Sequence, residues 1–371
     1  MKPCGLPIER INWGKPILSP GNHEWESGNT INAAAVYLER SAQDDDIIRR
    51  LLGRDILPDA ADGIVAVIYR AIPAKASGYA VPFSHTGLAV FTPDLRLLRR
   101  FSEPVLAPSA GSSSFDAFGI EDPRITRIGD AFYMLYCGPH LDAAGAICTR
   151  LCLATSPDLM HWEKHGPISG GPDLWNNKDG VLFPQQIDGR YYLLHRPWGG
   201  DIHVSDFSIW LASSTTLDGA WEDHGEVLHS YAIPGCRDSW VGAGSVPIPL
   251  GGKRFMVIYH TGNYLTGAHR EYDAGVALFD FARFTPQAPG KVVVNRLEPL
   301  IVPETPFERS TIPSIGQLDV IFPCGSYEYQ GFVYIVYGAS DIYTCAARVE
   351  KQPLLAALEQ AGLENPYLNA R

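Results

Sequence analysis

Five times along this chain an apolar, aromatic-rich stretch runs up to a tyrosine or histidine: IVAVIYR (64–70), AFYMLYC (131–137), RYYLLHR (190–196), RFMVIYH (254–260) and FVYIVYG (332–338). The aligned residues Tyr69, Tyr136, His195, Tyr259 and Tyr337 fall 59 to 78 residues apart. Gly63, Gly129, Gly189, the pair Gly251-Gly252 and Gly331 precede the five stretches and mark tight hairpin entries. A second unit lies between them: LATSPDL (153–159) leads to Trp162, and LASSTTL (211–217) leads to Trp221. Such an aromatic is what the outer half of a sheet needs to cover its contact with a neighbouring sheet. The period is too long for a solenoid and suits a decorated blade of four strands. The expected fold is therefore all-β, a five-bladed β-propeller with short helical additions. A β-sandwich, which also shows many short strands, is the rival.

Helix is expected only at 44–53, where acidic residues open the segment and Gly53 ends it, and at 353–362. These additions suit an outer surface or a subunit contact, which leaves room for a homo-oligomer. No linker-like or low-complexity stretch interrupts the repeat, so residues 1–371 read as one domain. The formal net charge of −11 argues against nucleic acid or an anionic membrane as partner. The seven cysteines match no common zinc spacing, and no motif implies a metal or organic cofactor. The N-terminal residues carry no apolar signal segment and no run of 18 apolar residues occurs, so a cytoplasmic location is expected.

Two adjacent carboxylates stand out in Phe118-Gly119-Ile120-Glu121-Asp122-Pro123-Arg124. Proline restricts the residue before it, so Asp122 is expected outside the helical region on a stiff turn, either as an acid or as one half of an ion pair with Arg124. Propellers bind ligands in the central channel, and the repeated stretches end in Arg70, Cys137, Arg196, His260 and Gly338. Three of these five are cationic or titratable. Lys178-Asp179 and Ser340-Asp341 lie beside them. At equivalent positions of a ring, such ends converge on one axis.

The ordered blocks GIEDPR (119–124), KDGVLFP (178–184), LHRP (194–197), GAG (242–244) with Pro247, YHTG (259–262) and YGASD (337–341) resemble glycoside hydrolase family 130 over roughly residues 30 to 348. That resemblance implies a mannoside phosphorylase or β-1,2-mannosidase on a five-bladed propeller. It implies Asp122 as the general acid, acting by relay through a sugar hydroxyl. Asn32, Arg70, Ser84, Glu121, Asp179 and Asp341 would hold the sugar, and Lys178, Arg196 and His260 would hold inorganic phosphate. Several charge-assisted donors are what a phosphate pocket requires. The expected reaction is inverting phosphorolysis of a β-mannoside oligosaccharide, with phosphate as co-substrate and no other cofactor. One departure stands against it: Trp240 occupies the place before Gly-Ala-Gly where the family's phosphorylases usually carry a basic residue, although Arg237 is close. Water as nucleophile would need a carboxylate base opposite Asp122, for which Glu271, Asp238 and Glu226 are candidates. A non-catalytic glycan-binding propeller is the third reading.

Overall fold

The computed structural model describes residues 5–55, 60, 62–74, 83–111, 114–265, 269–312 and 316–367. Among them the chain is mostly β, with 22 strands and two α-helices. β1 (Glu9–Arg10) comes first. β2 (Asn29–Glu39), β3 (Gly63–Ile72), β4 (His85–Phe91) and β5 (Leu97–Arg100) form a four-stranded antiparallel meander. β6 (Glu121–Ile128), β7 (Ala131–Leu141), β8 (Ile147–Ser156) and β9 (Glu163–Pro167) form a second. A third contains β10 (Asn177–Leu182), β11 (Tyr191–Pro197), β12 (Ile209–Ser214) and β13 (Glu222–Leu228). The rest is a ten-stranded sheet. One part runs β14 (Asp238–Ala243), β16 (Arg254–Tyr264), β17 (Arg270–Asp280), β18 (Val293–Ile301), with the short β15 (Ile248–Pro249) also on β16. The other runs β20 (Gly316–Tyr329), β21 (Phe332–Ala339), β22 (Tyr343–Glu350), β1, with β19 (Arg309–Ile312) on β20. A short parallel pairing of β17 with β20 joins the two parts. Helices α1 (Asp45–Leu52) and α2 (Lys351–Gln360) sit within a residue or two of the expected segments.

β3 reads as a continuous apolar run because both of its faces are covered; every residue but Arg70 is buried. The outer strands β5, β9 and β13 are mostly half-buried or exposed. Four of the hydrophobic cores are shared by two sheets, and a fifth by the two parts of the ten-stranded sheet. Ile64 and Ile68 pack with Ile125 and Met134, Leu135 with Leu193 and Trp221, Leu194 with Val257, Ile258 with Ile335, and Val336 with Val67.

The repeated stretches are β3, β7, β11, β16 and β21, and they are the second strands of their sheets. The strands that approach one another between sheets are β2, β6, β10, β14 and β20. The repeated tyrosines serve as staples. A buried phenol needs a hydrogen-bond partner, and each finds a carboxylate that is neutralised by a cation from an outermost strand. Tyr69 donates to Glu26 (2.6 Å), which also accepts from Arg100 of β5 (2.7 Å). Tyr136 donates to Asp116 (3.2 Å), held by Lys164 of β9 (2.6 Å). Tyr259 donates to Glu298, held by Arg296 of β18. Tyr337 donates to Glu308 (2.7 Å), held by Arg10 of β1 (2.8 Å). His195 is the variant: its Nε2 lies 3.5 Å from Asp223. β1 thus does for β21 what β5 does for β3. Arg10→Met should therefore lower stability by about 1–3 kcal/mol, the cost of leaving buried Glu308 short of a donor. An unchanged urea midpoint would show that the pair does not hold this edge.

Candidate functional site

Four of the approaching strands are interrupted by a bulge, and at three of these bulges a side chain that is not glycine sits at left-handed φ: Asn32 (49°), Asp122 (50°) and Asp179 (57°). Bulges re-aim side chains, and Asn and Asp tolerate this region best. Asp341 does the same at 55°, just after β21. For Asp122 this corrects the expectation of a stiff turn outside the helical region: the residue lies inside strand β6, and the bulge between Glu121 and Arg124 sets its left-handed φ against the extended preference that proline imposes.

The bulged residues meet. Asp122 Oδ1 accepts from Asn32 Nδ2 at 2.7 Å and from Arg70 Nη1 at 3.3 Å, while Arg70 Nη2 donates to Glu121. Asp179 lies between three cationic or titratable groups: Arg196 Nε at 2.6 Å, Arg124 Nη2 at 3.3 Å and His260 Nε2 at 3.7 Å. Lys178 stands next to it, partly exposed, with its ammonium 5.8 Å from the Trp198 ring centre. Asp341 is partly exposed and feels both Arg70 and Asp122, and its carbonyl accepts from Asn29. Ser84 bridges to Gly119, three residues before Asp122, but its hydroxyl is buried without a partner. All ten residues singled out from the sequence therefore lie in or against one cluster. His260 differs from the expected exposed ligand, being wholly covered, with its ring 4.1 Å from that of Phe322.

Burial would raise the Asp122 carboxyl, but Arg70, Arg124, Lys178 and the Asn32 amide outweigh it and hold the group below its ordinary value. Its neighbour Glu121 is pushed up by burial, against Arg70 and with Asp122 adding to the rise. Asp341 is raised in the same way. Asp179 is held low, because Arg196, His260, Arg124 and Lys178 overcome its desolvation. Burial also opposes the charge of Lys178, yet Asp179 and Asp122 keep its ammonium above the usual value. His260 is pushed down to about 3, first by burial and then by Arg196, Arg124 and Lys178, against Asp179.

The unfolded state therefore protonates its histidine near pH 6.5 while folded His260 stays neutral down to about pH 3. The unfolded chain binds more protons in that window, so this residue's contribution falls as pH falls from 6.5 toward 3. At pH 5 the loss should be about 2 kcal/mol. Relative to wild type, His260→Gln should flatten the decline of urea stability between pH 7 and 5. Parallel pH profiles would show that His260 is not the group responsible.

Several residues of the site were not assigned from the sequence. Arg124 is 1% exposed and ties three backbone carbonyls, those of Asp122 (2.8 Å), Ala243 (3.2 Å) and Gly244 (3.1 Å), to Asp179. An arginine opening an apolar strand was its only signal. Tyr272 and Arg270 of β17 are in electrostatic contact with Asp341, and Tyr272 also with Arg196 and Lys178. Gly242 faces Asp179 and His260, where a Cβ would come within 2.3 and 2.4 Å of them, which explains a glycine in the Gly-Ala-Gly block. Trp240 packs on Tyr264 and Tyr272 at 5.1 and 5.5 Å. Arg237 does not substitute as a pocket cation: its side chain is 66% exposed, stacks on Tyr264 and pairs with Asp238. Of the candidate bases, Asp238 is thus occupied, Glu226 pairs with His229 on the outer strand β13, and Glu271 stands on the opposite face of β17 from Tyr272.

The family model for glycoside hydrolase family 130, described as beta-1,4-mannooligosaccharide phosphorylase, matches residues 94–360. A 1,2-beta-oligomannan phosphorylase from Thermoanaerobacter sp. is 30% identical over 94% of this chain and 99% of its own length. A beta-1,2-mannobiose phosphorylase from the same genus is 31% identical over 91% of this chain and 96% of its own. Among solved structures, the beta-1,2-mannobiose phosphorylase of Listeria innocua in complex with beta-1,2-mannobiose shares the fold, with a TM-score of 0.69 at 22% identity over 95% of this chain and 99% of that one. With most of its length matched by the family model and by these relatives, the chain belongs to glycoside hydrolase family 130.

Proposed function

We propose that this protein is an inverting phosphorylase of β-mannosides, with β-1,2-linked mannosides as its preferred class. The observation that carries the reading is the juxtaposition of the carboxyl groups Glu121, Asp122 and Asp341 with Lys178, which acts on all three, and with Arg196, paired to Asp179. In this reading the sugar lies against Asn32, Arg70, Glu121 and Asp341, with Ser84 shaping the wall. Phosphate lies against Lys178 and Arg196, with Arg270 and Tyr272 in place of the missing basic residue. Covered His260 positions Asp179 and contributes to the phosphate site through it. Phosphate oxygen bonds to the anomeric carbon as the glycosidic C–O bond breaks, giving α-mannose 1-phosphate, and the departing oxygen takes a proton supplied by Asp122 through a sugar hydroxyl. In the free protein Asp122 is ionised. Sugar binding removes the remaining water, and because desolvation is the largest influence on this carboxyl, the change favours its protonated form.

The same reading closes the three meanders and the two parts of the ten-stranded sheet into a five-bladed propeller forming one domain, with β1 as the outer strand of the last blade. The sharing of Val67 and Val336 in one core supports this. Linkage preference rests on the two relatives that span nearly the whole chain, both named for β-1,2 substrates.

The test is incubation with β-1,2- and β-1,4-mannobiose, each with and without phosphate. The β-1,2 compound should give α-mannose 1-phosphate, and only when phosphate is present. Release of free mannose at an equal rate without phosphate would make the protein a mannosidase. Glycan binding with no turnover in either condition would make it a binding module.

A further inference from the structure

Side chains at even positions of β16 and β17, namely His260, Arg270 and Tyr272, serve the pocket; those at odd positions stand on the other face. Across that face one register row runs Ser239 on β14, Asn263 on β16, Glu271 on β17 and Asp319 on β20. Ligand-type atoms of His269, Glu271 and Asp319 all lie within 4.8 Å of one another. Asp319 is 3% exposed; its Oδ2 sits 3.0 Å from His269 Nε2 and accepts from Gln317 at 3.0 Å, while its Oδ1 has no partner. Glu271 and His269 are partly exposed, which leaves a way in from solvent.

Independent signs point to an occupant. Asn263 is fully buried opposite Glu271, and neither its amide oxygen nor its amide nitrogen has a partner. In the next row Asp273 is also fully buried, with both carboxyl oxygens unpartnered, opposite Thr261, whose hydroxyl is unpartnered as well. Buried polar groups in folded proteins are almost always satisfied. Like charges directly opposite on neighbouring strands repel. Among the described residues no lysine or arginine side chain pairs with Glu271, Asp273 or Asp319. Something positive is needed where the two parts of the sheet meet, since only three residue pairs join β17 to β20.

We propose that His269, Glu271 and Asp319 bind a divalent cation, with the Asn263 amide oxygen as a further ligand, and that the ion clamps β17 to β20 behind the pocket. Two carboxylates, an amide oxygen and one imidazole suit Mn²⁺ or Zn²⁺ better than Mg²⁺. The role is structural: the ion stands on the face of β17 away from Arg270 and Tyr272 and fixes the strand that presents them. No motif marks the site in the sequence, because its ligands come from β16, the start of β17 and β20, segments that only the fold brings together.

The full chain, treated with chelator and dialysed, would be titrated calorimetrically with MnCl₂, ZnCl₂, CaCl₂ and MgCl₂, and its Tm measured with each. One site per chain is expected for Mn²⁺ or Zn²⁺, with Tm raised by a few degrees at saturation, as for any ligand that binds only the folded state. Asp319→Asn and Glu271→Gln should each weaken that affinity at least 10-fold. Wild-type protein that shows no stoichiometric binding, and a Tm indifferent to chelator and to all four ions, overturns the proposal whether or not the variants fold. Binding that persists undiminished in both variants overturns it too, since the ion would then sit elsewhere.

Discussion

Asp122→Asn is expected to lower turnover of unactivated β-mannosides by roughly 100- to 10,000-fold, the span usual for loss of a general acid. The substitution keeps the shape of the side chain and its place at left-handed φ, which asparagine also tolerates, so folding should change little. Asn32 and Arg70 would still face it, with one charge-assisted bond weakened. The effect should fall mainly on kcat, since the proton is needed only as the glycosidic bond breaks. A variant that retains more than about a third of wild-type activity would remove Asp122 from the chemistry and leave it as a structural partner of Arg70.

Arg124→Met should produce the largest loss of stability, about 3–5 kcal/mol, as expected when one partner of a buried ion pair is removed. Methionine fills similar volume but donates nothing, so the carbonyls of Asp122, Ala243 and Gly244 lose their donor and Asp179 loses one of its two arginine partners, keeping Arg196. Those carbonyls belong to β6 and to the Gly-Ala-Gly segment at the end of β14, and Arg124 is what holds the two together. Arg124→Lys should recover only part of the loss, because a single ammonium cannot reproduce the fork of a guanidinium. Urea denaturation would measure both. A cost below about 1 kcal/mol for the methionine variant would mean that water satisfies the three carbonyls without the arginine.

The five repeated strands and the two helices were legible in the sequence because their signals are local. IVAVIYR and its four counterparts are strands by apolar content and by their glycine entries; 44–53 is a helix by its acidic start and Gly53. The six ordered blocks carried Glu121, Asp122, Lys178, Asp179, Arg196, His260 and Asp341, whereas Asn32, Arg70 and Ser84 precede all six. What each repeat is for was not legible. The repeated tyrosines served in the sequence only to align the repeat, yet each is a buried staple, because its carboxylate and cation come from other segments of the chain, as Glu308 and Arg10 do for Tyr337. The left-handed φ of Asp122 escaped a local rule about proline because a bulge is set by the partner strand. Arg124 looked like one half of a turn ion pair, and His260 like an exposed ligand; only the convergence of β6, β10, β14 and β16 covers one and gives the other its carbonyls. Composition and turn chemistry act over a few residues and so determined which segments become strands and which side chains are reactive. Register, burial and the local electrostatic field depend on contacts between segments tens to hundreds of residues apart, and these the tertiary structure alone decided.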